Sequence, residues 1–381
     1  MSALERTEHT YEIIVTPGKK PERLDAYITR SIAMATRTRV QKAIDAGSVH
    51  VNGVHKNANY KVKPSDVITV TVMRPPPLQL VPQDIPLEIL YEDEHLLVIN
   101  KAPGILVHPG LGNRDGTLVN AVLWHLGQRE PIDVLKGRED WGDDEDAVEE
   151  SLDEGVDETL ETSEAAFWDP ERGLEQESAA IRPGIVHRLD RDTSGVMVIG
   201  KKYLTTMQLA KQFADRTVSR QYVALCWGIV GEDHLLIEGD IGRSPRDRTL
   251  RAIVRTGGKY AATEVTVHER FLCATLITCK LRTGRTHQIR VHLSSRKHPL
   301  IGDPDYGGRD SAINALHHAY RQKGTDVLRN IHRQALHARS LEFTHPVTKD
   351  RMVFESPLPA DMQACLDLLR DGYTPHATTD P

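Results

Sequence analysis

The sequence predicts an α+β protein: a small N-terminal unit followed by a larger domain built on a mixed, mostly antiparallel sheet with flanking helices. Three observations predict it. Two short amphipathic helices and a period-two strand crowd into residues 11–73. The run Arg74–Pro77 (RPPP) then breaks the pattern. Beyond it, the β-rich segments Tyr222–Val230, Thr263–Arg270 and Ala274–Leu281 are separated by turns, with few helices between them, as in an α+β domain.

In chain order, residues 1–10 read as a polar tail. A helix begins within Pro21–Ile32 and carries Arg23, Leu24 and Asp25. A second helix covers Thr36–Ala46, with Val40, Ala43 and Ile44 on one face and Arg37, Arg39 and Lys42 on the other, the spacing of a half-buried helix. Gly47 ends it as a helix-terminating glycine does. Val49–Val51 is a short strand, Asn52-Gly53 a tight turn and Val67–Val72 a period-two strand. Prolines cannot join a sheet ladder, so 74–86 is expected to be a stiff linker. The larger domain is expected over 87–369. It opens with strands at Leu87–Leu90 and Leu96–Asn100 and a helix at Thr117–Leu126. An acidic insertion, 134–180, interrupts it. Helices follow at Leu204–Ala214 and Thr286–Ser294, and 370–381 is a loose tail.

Composition bounds the function. The chain has 381 residues and a net charge of −6, which looks wrong for a nucleic-acid binder. The average hides a partition. Glu139–Glu177 holds 18 acidic residues against one arginine, a local net of −17 that leaves +11 on the remainder. A basic body suits phosphate binding, which releases counterions. The acidic stretch has too little apolar surface to fold and reads as a solvated tether; the sharper alternative is that it mimics RNA. The longest apolar runs, such as Gly195–Gly200, fall far short of the roughly 18 residues a membrane helix needs. The polar N-terminus lacks a signal-peptide core, so the expected compartment is the cytoplasm. Four scattered cysteines with no CxxC pair point to reduced, buried thiols and argue against zinc.

Three stretches carry chemistry. In Arg182–Lys201 (RPGIVHRLDRDTSGVMVIGK), a basic turn precedes an apolar strand, and Asp190 is flanked by Arg188 and Arg191. Such a carboxylate stays ionised, which suits a nucleophile, a general base or equally a structural ion pair. In Leu281–Ser295 (LRTGRTHQIRVHLSS), Thr286 fits a helix N-cap, and Arg290 on the following helix calls for a carboxylate or phosphate partner. In Arg216–Gly228, Tyr222 opens a strand and fits either the core or a base-stacking platform. No histidine spacing matches a metal motif, and no phosphate-loop, dinucleotide or GxSxG pattern occurs, so neither metal nor nucleotide cofactor is expected.

In this order, these stretches resemble the RluA-type family of pseudouridine synthases. Lys101–Gly110 (KAPGILVHPG), His187–Gly195 (HRLDRDTSG), His298–Gly307 (HPLIGDPDYG) and Arg333–Pro346 extend the likeness. Residues 11–73 resemble the S4 RNA-binding domain, through Arg23-Leu24-Asp25 and Ala46–Gly53 (AGSVHVNG). The combination is most similar to the D-type enzymes of large-subunit ribosomal RNA. The resemblance implies that Asp190 is the catalytic aspartate, that Arg290 pairs with it, that Tyr222 stacks on the target base and that Arg188 fills the space the flipped uridine leaves. It places His187, Thr193, Arg285 and His287 among the substrate contacts, and Arg23, Arg37, Arg39, Lys42 and Asn52 on the RNA-facing side of the S4 unit. It implies ribosomal RNA as partner, a monomer, and no cofactor. A synthase for other RNA such as tRNA, a non-catalytic assembly factor, and a hydrolase using Asp190 and Asp192 as a carboxylate pair are the competing readings.

Overall fold

A computed structural model describes residues 7–16, 22–32, 35, 37–74, 79–109, 113, 115–133, 184–247 and 249–371. The acidic insertion expected over 134–180, residues 1–6 and 372–381 of the two tails, and the Arg39 side chain lie outside the described residues. Those residues group into two compact units, the first running to Leu80 and joined by 131–133, the second holding 81–130 and 184–371.

In the first unit β1 (Thr7–Ile14), α1 (Leu24–Ser31), α2 (Arg37–Asp45), β2 (Val49–Val51), β3 (Val54–His55) and β4 (Val67–Arg74) follow one another. The strands form one antiparallel sheet in the order β1-β4-β2-β3. Leu24, Ile28, Val40 and Ile44 from the helices meet Val49, Ile68 and Val70 from the strands in a single core. Asn52 and Gly53 close the β2–β3 hairpin with φ of 51° and 76°, the left-handed pair that two-residue hairpins favour. The tail expected over 1–10 is shorter, because Thr7–Thr10 pair with β4 up to Arg74. The linker expected over 74–86 is also narrower. Gln79–Leu80 (β5) pair with Ile132–Asp133 (β8). The backbone at 81–85 instead belongs to the second unit, where Asn120 donates to the Val81 carbonyl and Gln83 donates to that of Asn120.

The second unit contains β6 (Glu88–Glu92), β7 (Leu96–Lys101) and α3 (Leu118–His125), then β9 (Gly184–Ile185), β10 (Ser194–Gly200) and α4 (Tyr203–Ala214). There follow β11 (Ser219–Trp227), β12 (His234–Arg243), β13 (Arg251–Ile253), β14 (Lys259–Arg270), β15 (Ala274–Leu281) and α5 (Gln288–Ser295). It closes with α6 (Asp310–Ala315), α7 (His318–Asn330), β16 (Leu336–Thr344), β17 (Arg351–Glu355) and α8 (Ala360–Arg370). One sheet runs β13-β12-β14-β15-β11-β16-β10-β7-β6, with β17 on β16 and β9 on β10. Helices cover it in three patches, the smallest where Val291 of α5 packs against Ile241 and Ala261. α4 packs Leu209 and Phe213 against Val196, Val198 and Phe343. α7 and α8 pack Val327, Met362 and Leu366 against Leu225 and Trp227. All four cysteines are buried and free. Burial pushes their thiols up, to about 12 at Cys226 and Cys365, so they are inert. No helix among the described residues is long and apolar enough to cross a membrane.

Among the described residues every strand pairing is antiparallel except one. β10 meets β16 in parallel, Ser194 opposite His337 and Gly195 opposite Ala338. Gly195 makes this junction possible. Its φ is +125°, and a Cβ there would lie 2.3 Å from the Ala338 carbonyl oxygen, so no side chain fits. Gly195→Ala is therefore expected to destabilise the second unit by about 3 kcal/mol or more, from backbone strain and overpacking together. A urea-unfolding midpoint equal to that of the wild type would contradict this close approach.

Candidate active site

Asp190 sits on the turn that joins β9 to β10, and the carbonyls of residues 190–193 are each held. The Thr193 N–H donates to the Asp190 carbonyl (3.1 Å). The buried Lys101 ammonium at the end of β7 donates to the carbonyls of Ala102 (2.9 Å), Arg191 (2.9 Å) and Thr193 (3.0 Å). The Arg333 guanidinium donates to the Asp192 carbonyl (3.0 Å) and is itself fixed by Asp361 on α8 through two contacts of 2.7 and 2.8 Å. Burial lowers the Lys101 pKa to about 8, against the pull of Asp190 and Asp192. A buried cation satisfied only by carbonyl dipoles is expensive, and its place here is to fasten this one loop.

Arg290 approaches from α5. Its Nη1 lies 3.4 Å from Asp190 Oδ2, while Nε and Nη2 engage Asp303 at 2.8 and 2.9 Å. Nη2 also meets Asp305 at 2.6 Å. The Tyr306 ring lies against the guanidinium, 4.8 Å from its centroid. Burial raises the pKa of Asp190, but the charges of His287, Arg290 and Arg188 outweigh it and hold the carboxyl below its ordinary value. Burial also lowers the His287 pKa, so at neutral pH the two arginines carry the effect. Asp190 is therefore an ionised carboxylate with its side chain 20% exposed.

Tyr222 faces the same charge. Burial raises its pKa, and Asp190 adds to the rise. The β11–β16 register shifts between Gln221 and Tyr222, and such bulges re-aim a side chain beside a site. Arg188 is exposed next to Asp190, whereas Arg191 turns away and donates to the Gly104 carbonyl (3.2 Å). The structure thus brings Asp190, Arg290, Tyr222, Arg188 and His287 together.

Other expected residues do other work. His187, expected among the substrate contacts, is buried; its ring stacks on Phe213 (4.6 Å), and its Nε2 accepts from the Val198 N–H (3.1 Å). Burial holds it neutral, with a pKa of about 3. Thr193 is buried as well and accepts from Gln334 (3.1 Å). Arg285 donates to the Tyr260 carbonyl (3.0 Å). Thr286 does not cap α5. His287 does, with φ 54°, because Gln288 reaches back to Thr283 (2.7 Å) and to the Arg285 N–H (3.0 Å) and closes the preceding turn. His287 Nδ1 bonds to the Tyr306 hydroxyl (2.8 Å).

In the first unit, Arg23 and Arg37 both bond to the buried Asp25, at 2.9 and 3.1 Å, yet keep their side chains 41% and 62% exposed. Lys42 is exposed on α2. Asn52, expected at the RNA face, is a structural clasp: it donates to Asp66 (2.8 Å) and accepts from the Val67 N–H (2.9 Å). Sequence reasoning missed Lys101, Gln288, Asp303, Asp305, Tyr306 and Arg333 as parts of the site. Among the described residues no group of three or more His, Cys, Asp or Glu side chains is placed to hold a metal ion.

A family model described as RNA pseudouridylate synthase matches residues 95–295, and one described as S4 domain matches residues 22–68. The chain is 38% identical over 364 residues to an "uncharacterized RNA pseudouridine synthase" of Chlorobaculum parvum, covering 94% of this chain and 98% of that one. It is 35% identical over 364 residues to the ribosomal large subunit pseudouridine synthase D of Xanthomonas campestris, covering 94% and 92%. With the enzyme of the same name from Xylella fastidiosa it shares 37% over 361 residues, again 94% and 92%.

The fastening of the Asp190 turn generates a stability prediction. Lys101→Met leaves three carbonyls without their charged donor and should cost roughly 2–4 kcal/mol. The pH dependence has a definite sign. The folded pKa of about 8 lies below the ordinary lysine value of 10.5. The cost of the buried charge is thus fully present below pH 8 and is relieved between pH 8 and 10.5, where the unfolded chain binds more protons. The wild type should gain stability relative to Lys101→Met across that window. Parallel urea titrations at pH 7 and pH 10 check this, and an equal difference at both would refute the buried ammonium.

Proposed function

Because the chain belongs to the RNA pseudouridylate synthase family, we propose that it isomerises specific uridines of large-subunit ribosomal RNA to pseudouridine, with Asp190 as the catalytic carboxylate. The target class is supported by relatives named for the large ribosomal subunit that align along nearly the whole chain, and by the S4 domain at 22–68. The observation that carries the catalytic role is the ionised, part-exposed Asp190 beside the buried Arg290.

The reaction breaks the C1′–N1 bond and forms C1′–C5, so the base turns while it is held. A stacked nucleotide hides these atoms, and extrusion costs a few kcal/mol. Arg188, exposed beside Asp190, is suited to fill the gap in the stack, because a guanidinium is planar and stacks on bases. Tyr222 offers the flipped ring a face next to the carboxylate. Asp190 then acts at the sugar, either by attacking C1′ or by taking a sugar proton. Fixing the target against a preset carboxylate supplies the orientation such a step needs. Arg23, Arg37, Arg39 and Lys42 of the S4 unit would add affinity and placement, with little sequence discrimination.

Asp190→Asn keeps the shape and removes the charge. Pseudouridine formation is expected to fall on the order of 10⁴-fold, with RNA affinity within about threefold because phosphate contacts carry it. Retained turnover would refute the role of Asp190, and release of free uracil by the wild type would favour a hydrolase. Pseudouridine mapping of ribosomal RNA from cells with and without the gene tests the target. Loss of sites in tRNA alone would overturn the large-subunit reading.

A further inference from the structure

Arg290 carries one positive charge and faces three carboxylates. Asp190 receives the weakest share, a single contact of 3.4 Å. Asp303 takes the guanidinium at two atoms, 2.8 and 2.9 Å, and its side chain is fully buried while that of Asp190 is 20% exposed. A two-pronged ion pair in a dry setting is stronger than a single long contact near water. Asp303 also builds its surroundings. Its Oδ1 accepts from the N–H groups of Asp305 (3.0 Å) and Tyr306 (3.1 Å). Those residues supply a further carboxylate on Nη2 and the ring against the guanidinium. The Tyr306 hydroxyl in turn holds His287 and accepts from the Arg251 N–H (3.0 Å).

We propose that Asp303 is the positioning residue of this site: it, rather than Asp190, fixes Arg290. The inference rests on Asp190 being the reacting carboxylate. In that role Asp190 loses its negative charge during every turnover. If it attacks C1′, the new C1′–O bond makes a neutral ester while the C1′–N1 pair leaves with the base. If it instead takes the C2′ proton, that bond's electrons form C1′=C2′, the base again leaves with the N1 pair, and Asp190 becomes a neutral acid. An arginine anchored on Asp190 would be released at that moment. Anchored on Asp303, it holds its place and meets the carboxylate again when the charge returns.

Asp190→Asn reproduces the neutral state and provides the test. The Arg290 Nε–H signal in ¹⁵N-resolved NMR spectra, assigned by its loss in Arg290→Lys, reports the bond to Asp303. In Asp190→Asn its exchange with water should stay within about threefold of the wild type, since the protecting contact is intact. Faster exchange than that overturns the proposal. In Asp303→Asn the same signal should exchange at least about tenfold faster. There kcat should fall about 100-fold with KM within about threefold, as expected of misplacement without lost binding. An unchanged kcat, or a loss in KM alone, also overturns it. If Asp303→Asn does not fold, the Asp190→Asn comparison decides by itself. A failure of the isomerase reading would show separately, as absence of pseudouridine in wild-type reactions, and would leave the NMR result standing.

Discussion

The site depends on a guanidinium buried to 4% of its side-chain surface and tied to a carboxylate that is buried completely. Taking two charges out of water costs several kcal/mol each, and only close geometry with the remaining hydrogen-bonding positions filled offsets it. Both conditions hold here. Arg290 uses Nε, Nη1 and Nη2 on carboxylates, and Asp303 accepts two backbone N–H groups as well as the guanidinium. Because the pair is satisfied internally, Asp190 is left with one long contact. It stays charged and, unlike Asp303, partly exposed.

The Asp190 turn needs its own support, and it comes from beside the two strands that flank β10. Lys101 closes β7, and Arg333 precedes β16. Both spend donors on the carbonyls of residues 191–193. Cations elsewhere in the chain serve a similar double purpose. Arg23 and Arg37 lock the buried Asp25 while keeping much of their surface in solvent. Their charge is preset at little further entropic cost if phosphate binds there, since the side chains are already ordered.

Much of this was legible in the sequence. The α2 stripe of Val40, Ala43 and Ile44 and the Asn52-Gly53 hairpin declare themselves through period and turn chemistry, and the pairing of Asp190 with Arg290 is what the family resemblance implies. The misses have physical causes. Asp303 lies 13 residues beyond Arg290, and only the folded path of the loop after α5 brings it back. Lys101 ends an apolar run and reads as a solvated strand end, because nothing local announces three converging carbonyls. The family resemblance places His187 among the substrate contacts, but its side chain is buried while that of the adjacent Arg188 is exposed, a difference that one-dimensional adjacency does not show. Thr7–Thr10 read as tail because their partner strand is some 60 residues away.

The parallel pairing of Ser194 with His337 bears on biosynthesis. A contact spanning that much chain closes late, because long loops must be ordered before such pairings form. Arg333 and Asp361 lie later still in the order of translation than Asp190. As domains emerging from the ribosome fold from the N-terminal side, the nascent chain completes its S4 module long before the Asp190 turn receives its Arg333 support. A half-made copy thus carries a folded first unit and a turn whose fastening cations have not all been translated.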